Sequence, residues 1–241
     1  RKSLIIWGIG IIVLITSGMG KYGSIGATGD SLNEVMAGMP KSLQAIMGSA
    51  SLDLSTPVGY YGILYLYLIV MASIHAVMLG ANIIAKEERD KTSEFLFVKP
   101  LSRDKVMTSK LLAALFNVVV FNVITLVTSV GMVQYYAEGE EVGSLIAALL
   151  GGMLILQLVF LSVGTVIAAK ISRPKQATAV ATAIVLVTFV LSIVINMSES
   201  LEPLSFMTPF KYFEAKDIIN GDGFDILYTA ISVLVILGLT T

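Results

Sequence analysis

From Tyr60 to Ala85 the chain carries no Asp, Glu, Lys or Arg, and five further stretches repeat the pattern: Leu4–Met19, Leu111–Tyr135, Ser144–Ala169, Ala177–Met197 and Ile226–Thr241. Runs of this length leave few folds open. About 20 apolar residues in a helix cross the hydrocarbon of a bilayer. In lipid every backbone N–H and C=O has to be satisfied within the protein, and a helix does this on its own. The expected fold is therefore an all-α integral membrane protein of six transmembrane helices, one domain over residues 1–241. The charged fraction agrees: 14% of the residues are Asp, Glu, Lys or Arg, where a soluble domain carries about 25%. Cysteine is absent, which excludes disulfides and thiol-based metal or redox sites. The first run follows Arg1-Lys2 in the manner of a signal peptide, but no A-x-A-like site follows it and five more runs do. The chain opens on Arg1 rather than Met and stops inside an apolar run, so both ends read as cut edges of a longer protein.

One segment between the runs is unlike the rest. Lys86 to Lys110 reads K-E-E-R-D-K-T-S-E-F-L-F-V-K-P-L-S-R-D-K-V-M-T-S-K and holds twelve of the 33 charged residues. Such a segment cannot sit in hydrocarbon and projects into water. The side follows from Lys and Arg, which accumulate in cytoplasmic loops. With the N-terminus inside, twelve of these residues fall inside and four outside (Lys21, Lys41, Lys211 and Lys216), while twelve of the 17 acids fall outside. Loop 86–110 is expected to be cytoplasmic, in a cell membrane.

Pro100 disfavours helix at Lys99, and Ser102 is placed to cap a new helix with Asp104 in its first turn. The pattern is helix, break, helix, with the apolar knob Phe95-Leu96-Phe97-Val98 flanked by charges. A charge run is most often a solvated loop. Four consecutive apolar residues inside it point instead to a docking surface or to a return to the membrane interface.

The remaining connections are short on structure. In 21–59, Ser31 and Glu34 fit a capping box, and Pro40 and Gly48 bracket a second short helix; both would lie amphipathically at the outer interface. In 198–225, Phe206, Phe210, Tyr212 and Phe213 suit an interfacial aromatic belt, with Asn220-Gly221 and Asp222-Gly223 as turn signals.

Chemistry inside the chain is sparse. Gly20-Lys21 lacks both the upstream glycine and the Ser or Thr of a phosphate-binding loop. No catalytic residue, metal site or cofactor is expected, and no nucleic acid partner. His75, the one histidine, falls near mid-span. It could relay protons, but no carboxylate lies in a span to work with it, and a neutral imidazole hydrogen-bonded to a neighbouring helix is the plainer reading. Asn82, Asn117, Asn122, Gln157 and Asn196 also lie in the runs, as interhelical hydrogen-bond partners in most cases. His75, Asn117, Asn122 and Gln157 are the candidates for lining a translocation path. In the fourth run, Ala147/Gly151 and Ala148/Gly152 form small-xxx-small pairs.

Glu87, Thr92, Glu94, Leu96, Pro100, Ser102, Arg103 and Lys110 follow the order E…T-x-E-x-L…P-x-S-R…K, which resembles the permeases of ABC-2 type transporters in their sodium-exporter-like and peptide-exporter branches. Two weaker stretches fit: Ile171–Val180 resembles that family's short inner loop, and Met207–Phe213 its outer-loop motif. The resemblance implies a coupling helix between spans two and three that inserts into a separate ATPase subunit. The contact residues would be Glu87, Glu88, Thr92, Glu94, Phe95, Leu96, Phe97 and Arg103. ATP and Mg would be held by that subunit, with a second permease subunit completing a bacterial exporter in membrane lipid. Phe95 and Phe97 depart from the family's frequent Leu, as does Val98-Lys99 before the proline. Two other readings stay open: an ATP-independent secondary transporter or channel, and a membrane-embedded lipid-modifying enzyme.

Overall fold

The computed structural model describes residues 2–25, 29–48, 52–89, 103–139, 141–171, 173–221 and 223–240, and every regular element among them is helical. The long helices are α1 (Lys2–Ile25), α4 (Pro57–Arg89), α5 (Arg103–Tyr136), α6 (Gly143–Lys170) and α7 (Pro174–Asn196). All five are long and apolar enough to cross a membrane. The last helix has 15 residues, Ile226–Thr240, short of the roughly 20 a crossing takes; we number it α9. Two short helices, α2 (Gly29–Ala37) and α3 (Lys41–Met47), sit between α1 and α4. After α7 come two 3-10 helices, Glu199–Met207 and Pro209–Phe213, and then α8 (Ala215–Ile219).

α2 begins at Gly29, which puts Ser31 within its first turn and not at the expected cap. The second short helix does follow the sequence. Pro40 precedes it, and Gly48 closes it at φ 67 with its N–H on Ala45 and Gln44 carbonyls, the left-handed geometry glycine tolerates. The chain between α3 and α4 is pinned by Asp53, whose Oδ1 accepts from Asn33 Nδ2 at 2.8 Å and Ser55 Oγ at 2.6 Å. These bonds, Ser55 first, hold the carboxyl below its ordinary value.

α4 and α6 form the centre and run parallel in one register. Tyr65 OH donates to the Leu149 carbonyl at 2.8 Å, Gln157 Nε2 to the Ala72 carbonyl at 3.4 Å, and Gly80 packs on Leu161 and Thr165. Each contact pairs a residue with one about 84 positions later, so the two helices advance together along their whole length. At Gly80 and Gly164 they touch backbone to backbone. A Cβ on Gly80 would collide with the Leu161 carbonyl oxygen and lie 3.1 Å from Thr165 N; one on Gly164 would collide with the Val77 carbonyl oxygen and lie 3.1 Å from Ala81 N. This reciprocal crossing is the small-residue packing that membrane helices use where lipid gives no hydrophobic drive.

The other helices dress this pair. α1 turns Ile11, Ile15 and Met19 inward at helical spacing while Ile5, Ile9, Ile12 and Val13 remain exposed. α7 does likewise with Ala177, Ala181 and Val185. Exposed apolar faces on a chain this hydrophobic are what a lipid environment accommodates.

The expected aromatic belt is mostly not a belt. Phe206 is exposed, but Phe210, Tyr212 and Phe213 are buried. The two 3-10 helices turn that segment back over the bundle end. Phe213 then lies against Gly152, whose absent side chain leaves it room, while Phe210 meets Phe160 and Phe189. Gly152, one of the small residues in the fourth run, thus receives an aromatic ring and not another helix.

Candidate functional site

Three of the four polar residues expected to line a path are brought together, and one is not. Asn122 of α5 donates through Nδ2 both to its own helix, at Val118 O (2.9 Å), and across to Gln157 Oε1 of α6. Gln157 in turn donates to Ala72 O of α4 and is fully buried. His75 lies one helical turn beyond Ala72, so α4, α5 and α6 meet at one polar layer. Counting about 1.5 Å per residue from Pro57, Gly143 and Tyr136, this layer is ~20–27 Å below the start of the spans. Asn117 stands apart, donating to Ala113 O of its own helix at 2.6 Å.

His75 is 3% exposed, yet among the described residues it does not make the interhelical hydrogen bond expected of it. Its ring is sandwiched between Phe121 (centroids 4.7 Å, stacked) and Trp7 (5.4 Å, tilted). Nδ1 is buried with no hydrogen-bond partner among the described residues, and so is Asn122 Oδ1. An unpaired polar atom in an apolar setting is costly, and two of them fall within this layer. α1 supplies Trp7, so four helices converge on it. Among the described residues no group of three or more metal-ligating side chains occurs. The layer offers hydrogen bonding and aromatic contact, not acid–base pairs.

The expected docking residues divide. Glu87 and Glu88 fall in the last turns of α4, and Arg103 opens α5. Thr92, Glu94, Phe95, Leu96 and Phe97 lie outside the described residues.

The other end of the bundle carries a constellation that sequence reasoning did not assemble. Glu214 Oε2 accepts from Lys211 Nζ at 3.1 Å and pairs with Lys216 Nζ at 2.9 Å, while Oε1 accepts from Asn196 Nδ2 at 2.9 Å. Lys211 also donates to Asn196 Oδ1 at 2.7 Å and is buried. Burial pushes the Glu214 carboxyl up, but the two ammonium groups and Asn196 outweigh it and hold it below the ordinary value. Burial pushes Lys216 down; Glu214, then Asp217 and Glu202, push it up, and the net shift is upward. Asn196, Glu214 and Lys216 of this cluster line a cavity of about 130 Å³ between α3, α4, α7 and α8. Lys211, Glu214 and Lys216 sit at short spacing, but nothing in that spacing shows that Asn196 closes the network.

A family model described as ABC-2 family transporter protein matches residues 1–241. No curated protein matches the chain.

Proposed function

As this chain belongs to the ABC-2 transporter family, we propose that it is the membrane-spanning permease subunit of an exporter driven by a separate ATPase docking on loop 86–110. The family is a transport component and not a catalytic subunit, and its typical partner is an ABC ATPase. The observation that best supports the docking site is the length of α4 and α5. With 33 and 34 residues they reach ~50 Å at about 1.5 Å per residue, against a hydrocarbon core of about 30 Å. Beyond the apolar runs, four residues of α4 (86–89) and eight of α5 (103–110) extend at the lysine-rich end, so the two helices lead directly into and out of residues 90–102. Thr92 to Phe97 are the contact, with Glu87, Glu88 and Arg103 at its edges.

In this reading the core has six spans, α9 being part of the sixth, with both termini and the loop cytoplasmic. A second permease subunit completes the pathway. ATP binding draws the ATPase pair together, and the loop passes that movement to α4 and α5 as rigid bodies. The first contacts it meets inside the membrane are the Gly80–Gly164 crossing and then the His75, Asn122 and Gln157 layer, which is the candidate lining of the path.

The test is ATPase activity and substrate movement in vesicles holding the permease and its ATPase. Glu94→Ala and the double change Phe95→Ala/Phe97→Ala should leave insertion and assembly intact while abolishing the stimulation of ATP hydrolysis by transport. Unchanged stimulated activity in both variants would remove residues 92–98 from the coupling contact. Transport by vesicles holding this chain alone would favour an ATP-independent carrier or channel.

A further inference from the structure

The cavity at the acidic end has the parts of an amphiphile site, whether or not the chain is a permease. Much of its lining is apolar, with Leu66 and Ile69 of α4, Ile193 of α7, Phe210 and Phe213, and Ser192 one turn from Asn196 adds a hydroxyl. The volume, about 130 Å³, is close to the roughly 150 Å³ that admits a benzene ring, room for the end of a hydrocarbon chain. Polar groups occur at the rim, where Lys216, Glu214 and Asn196 stand.

Charge at the rim decides the ligand. Glu214 is saturated by Lys211, Lys216 and Asn196. Lys216 is 37% exposed at its side chain and pairs with Glu214 alone among the described residues, so an ammonium with three donors has capacity for an anionic oxygen. Asp217 and Glu202 lie near enough to act on Lys216 electrostatically, and Glu202 is exposed. A purely anionic head would meet these two carboxylates. A head carrying phosphate and ammonium together satisfies both signs.

We propose that this cavity binds a zwitterionic phospholipid, with the phosphate on Lys216, the cationic end toward Glu202 and Asp217, and an apolar chain end beside Leu66, Ile69 and Ile193. The position suits such a ligand. The rim sits where α7 ends at Asn196, at the water boundary, while Ile69 lies twelve residues along α4 from Pro57, ~18 Å deep.

The experiment uses the full chain, delipidated in detergent and titrated with dioleoyl phosphatidylethanolamine, dioleoyl phosphatidylglycerol or inorganic phosphate, with binding read by native mass spectrometry. The expected result is one tight phosphatidylethanolamine site, on the order of tenfold stronger than for phosphatidylglycerol and not displaced by phosphate. Lys216→Gln should weaken it by about tenfold, the worth of one charge-assisted hydrogen bond. Glu202→Gln should narrow the preference between the two lipids, and Ile193→Trp, which fills the cavity, should remove the site. Equal binding of the two lipids overturns the proposal, and that measurement needs no variant. So does displacement by phosphate, which would make this a free-anion site, or a ladder of equivalent lipid adducts, which would make it ordinary bilayer contact.

Discussion

Gly164→Ala is the sharpest test of the central helix pair. The added Cβ would collide with Val77 O and lie 3.1 Å from both Val77 C and Ala81 N. Carbon and carbonyl oxygen normally approach no closer than about 3.3–3.6 Å. What stands in the way is helix backbone, which cannot rotate aside as a side chain does. α4 and α6 must separate locally by roughly an ångström, and the dispersion contacts along a shared register weaken together. Overpacking of this kind costs about 1–3 kcal/mol. Alanine returns up to ~1 kcal/mol of helix propensity, so a net loss of about 1–2 kcal/mol is expected. For a chain of this size that is a fall of about 2–8 °C in thermal midpoint, measured on the purified chain in detergent.

The control is Gly131→Ala in α5, where nothing lies within 4 Å of the new Cβ; its midpoint should hold or rise. Gly80→Ala should behave like Gly164→Ala, since its Cβ would strike Leu161 O. The pair should be less than additive, because once the helices part the second methyl enters space already opened. If Gly164→Ala melts with Gly131→Ala, the backbone contact is wrong and with it the register of α4 on α6.

Other expectations follow from the polar contacts. Gln157→Leu removes the bonds to Asn122 and Ala72 O and should cost about 0.6–1.7 kcal/mol, the range for such bonds between membrane helices; transport should fall more than the midpoint does, and the reverse would make Gln157 a packing residue. Glu214→Leu leaves Lys211 buried without its carboxylate and should cost about 3–5 kcal/mol, read from the same melts. The Glu214 carboxyl is held below its unfolded value. Its stabilisation is therefore complete above the ordinary carboxylate range and is lost as pH falls through the lower folded value. Melts between pH 7 and pH 3 should show a downward step at the acid end that Glu214→Gln lacks; an identical acid step in both would place the titrating group elsewhere. His75→Phe should keep or raise stability, since the contacts of His75 are with Phe121 and Trp7, while lowering transport if the polar layer lines the path.

What the sequence made legible was set by solvent. Apolar runs and a charged segment report on lipid and water directly, so five spans, the short helix from Pro40 to Gly48 and the placing of charge at one end could be read residue by residue. Contacts between spans could not. Gly80 and Gly164 lie in different runs, and glycine is common in membrane helices, so neither announces a crossing. The small residues that did attract notice, Gly151 and Gly152, face Phe224 and Phe213. Aromatics at 206–213 read as a belt because a belt and a tucked-back segment use the same residue types at the same depth. Only the 3-10 turns separate them, burying Phe210 and Phe213 and bringing Lys211 and Glu214 to Asn196.

One helix orders everything else. Along α4 from the acidic end come the cavity wall (Gly62 to Ile69), the polar layer (Ala72 and His75), the crossing (Val77 to Gly80) and the approach to loop 86–110. Below the crossing, α4 has only about two and a half turns, ~14 Å, before Arg89. Under the proposed coupling, a push from the loop would reach the crossing first. Helices in backbone contact do not slide without lifting apart, so α4 and α6 have to move as one body. The weaker joints then take up the displacement. At the polar layer α5 is held by the Asn122–Gln157 bond and by the stack of Phe121 on His75, and nearer the acidic end by Tyr61 OH on Ser129 at 2.8 Å. Opening there would pair Asn122 Oδ1 and His75 Nδ1 with water, relieving the two buried atoms that lack partners among the described residues. Under the proposed coupling, the α5 seam, and not the α4–α6 pair, is the place where a rigid push would be converted into access. Cross-linking sets the two apart. With a short bifunctional thiol reagent, a link between Val77→Cys and Leu161→Cys at the crossing should leave transport running, whereas one between Tyr61→Cys and Ser129→Cys should stop it; the opposite result would put the moving joint inside the central pair.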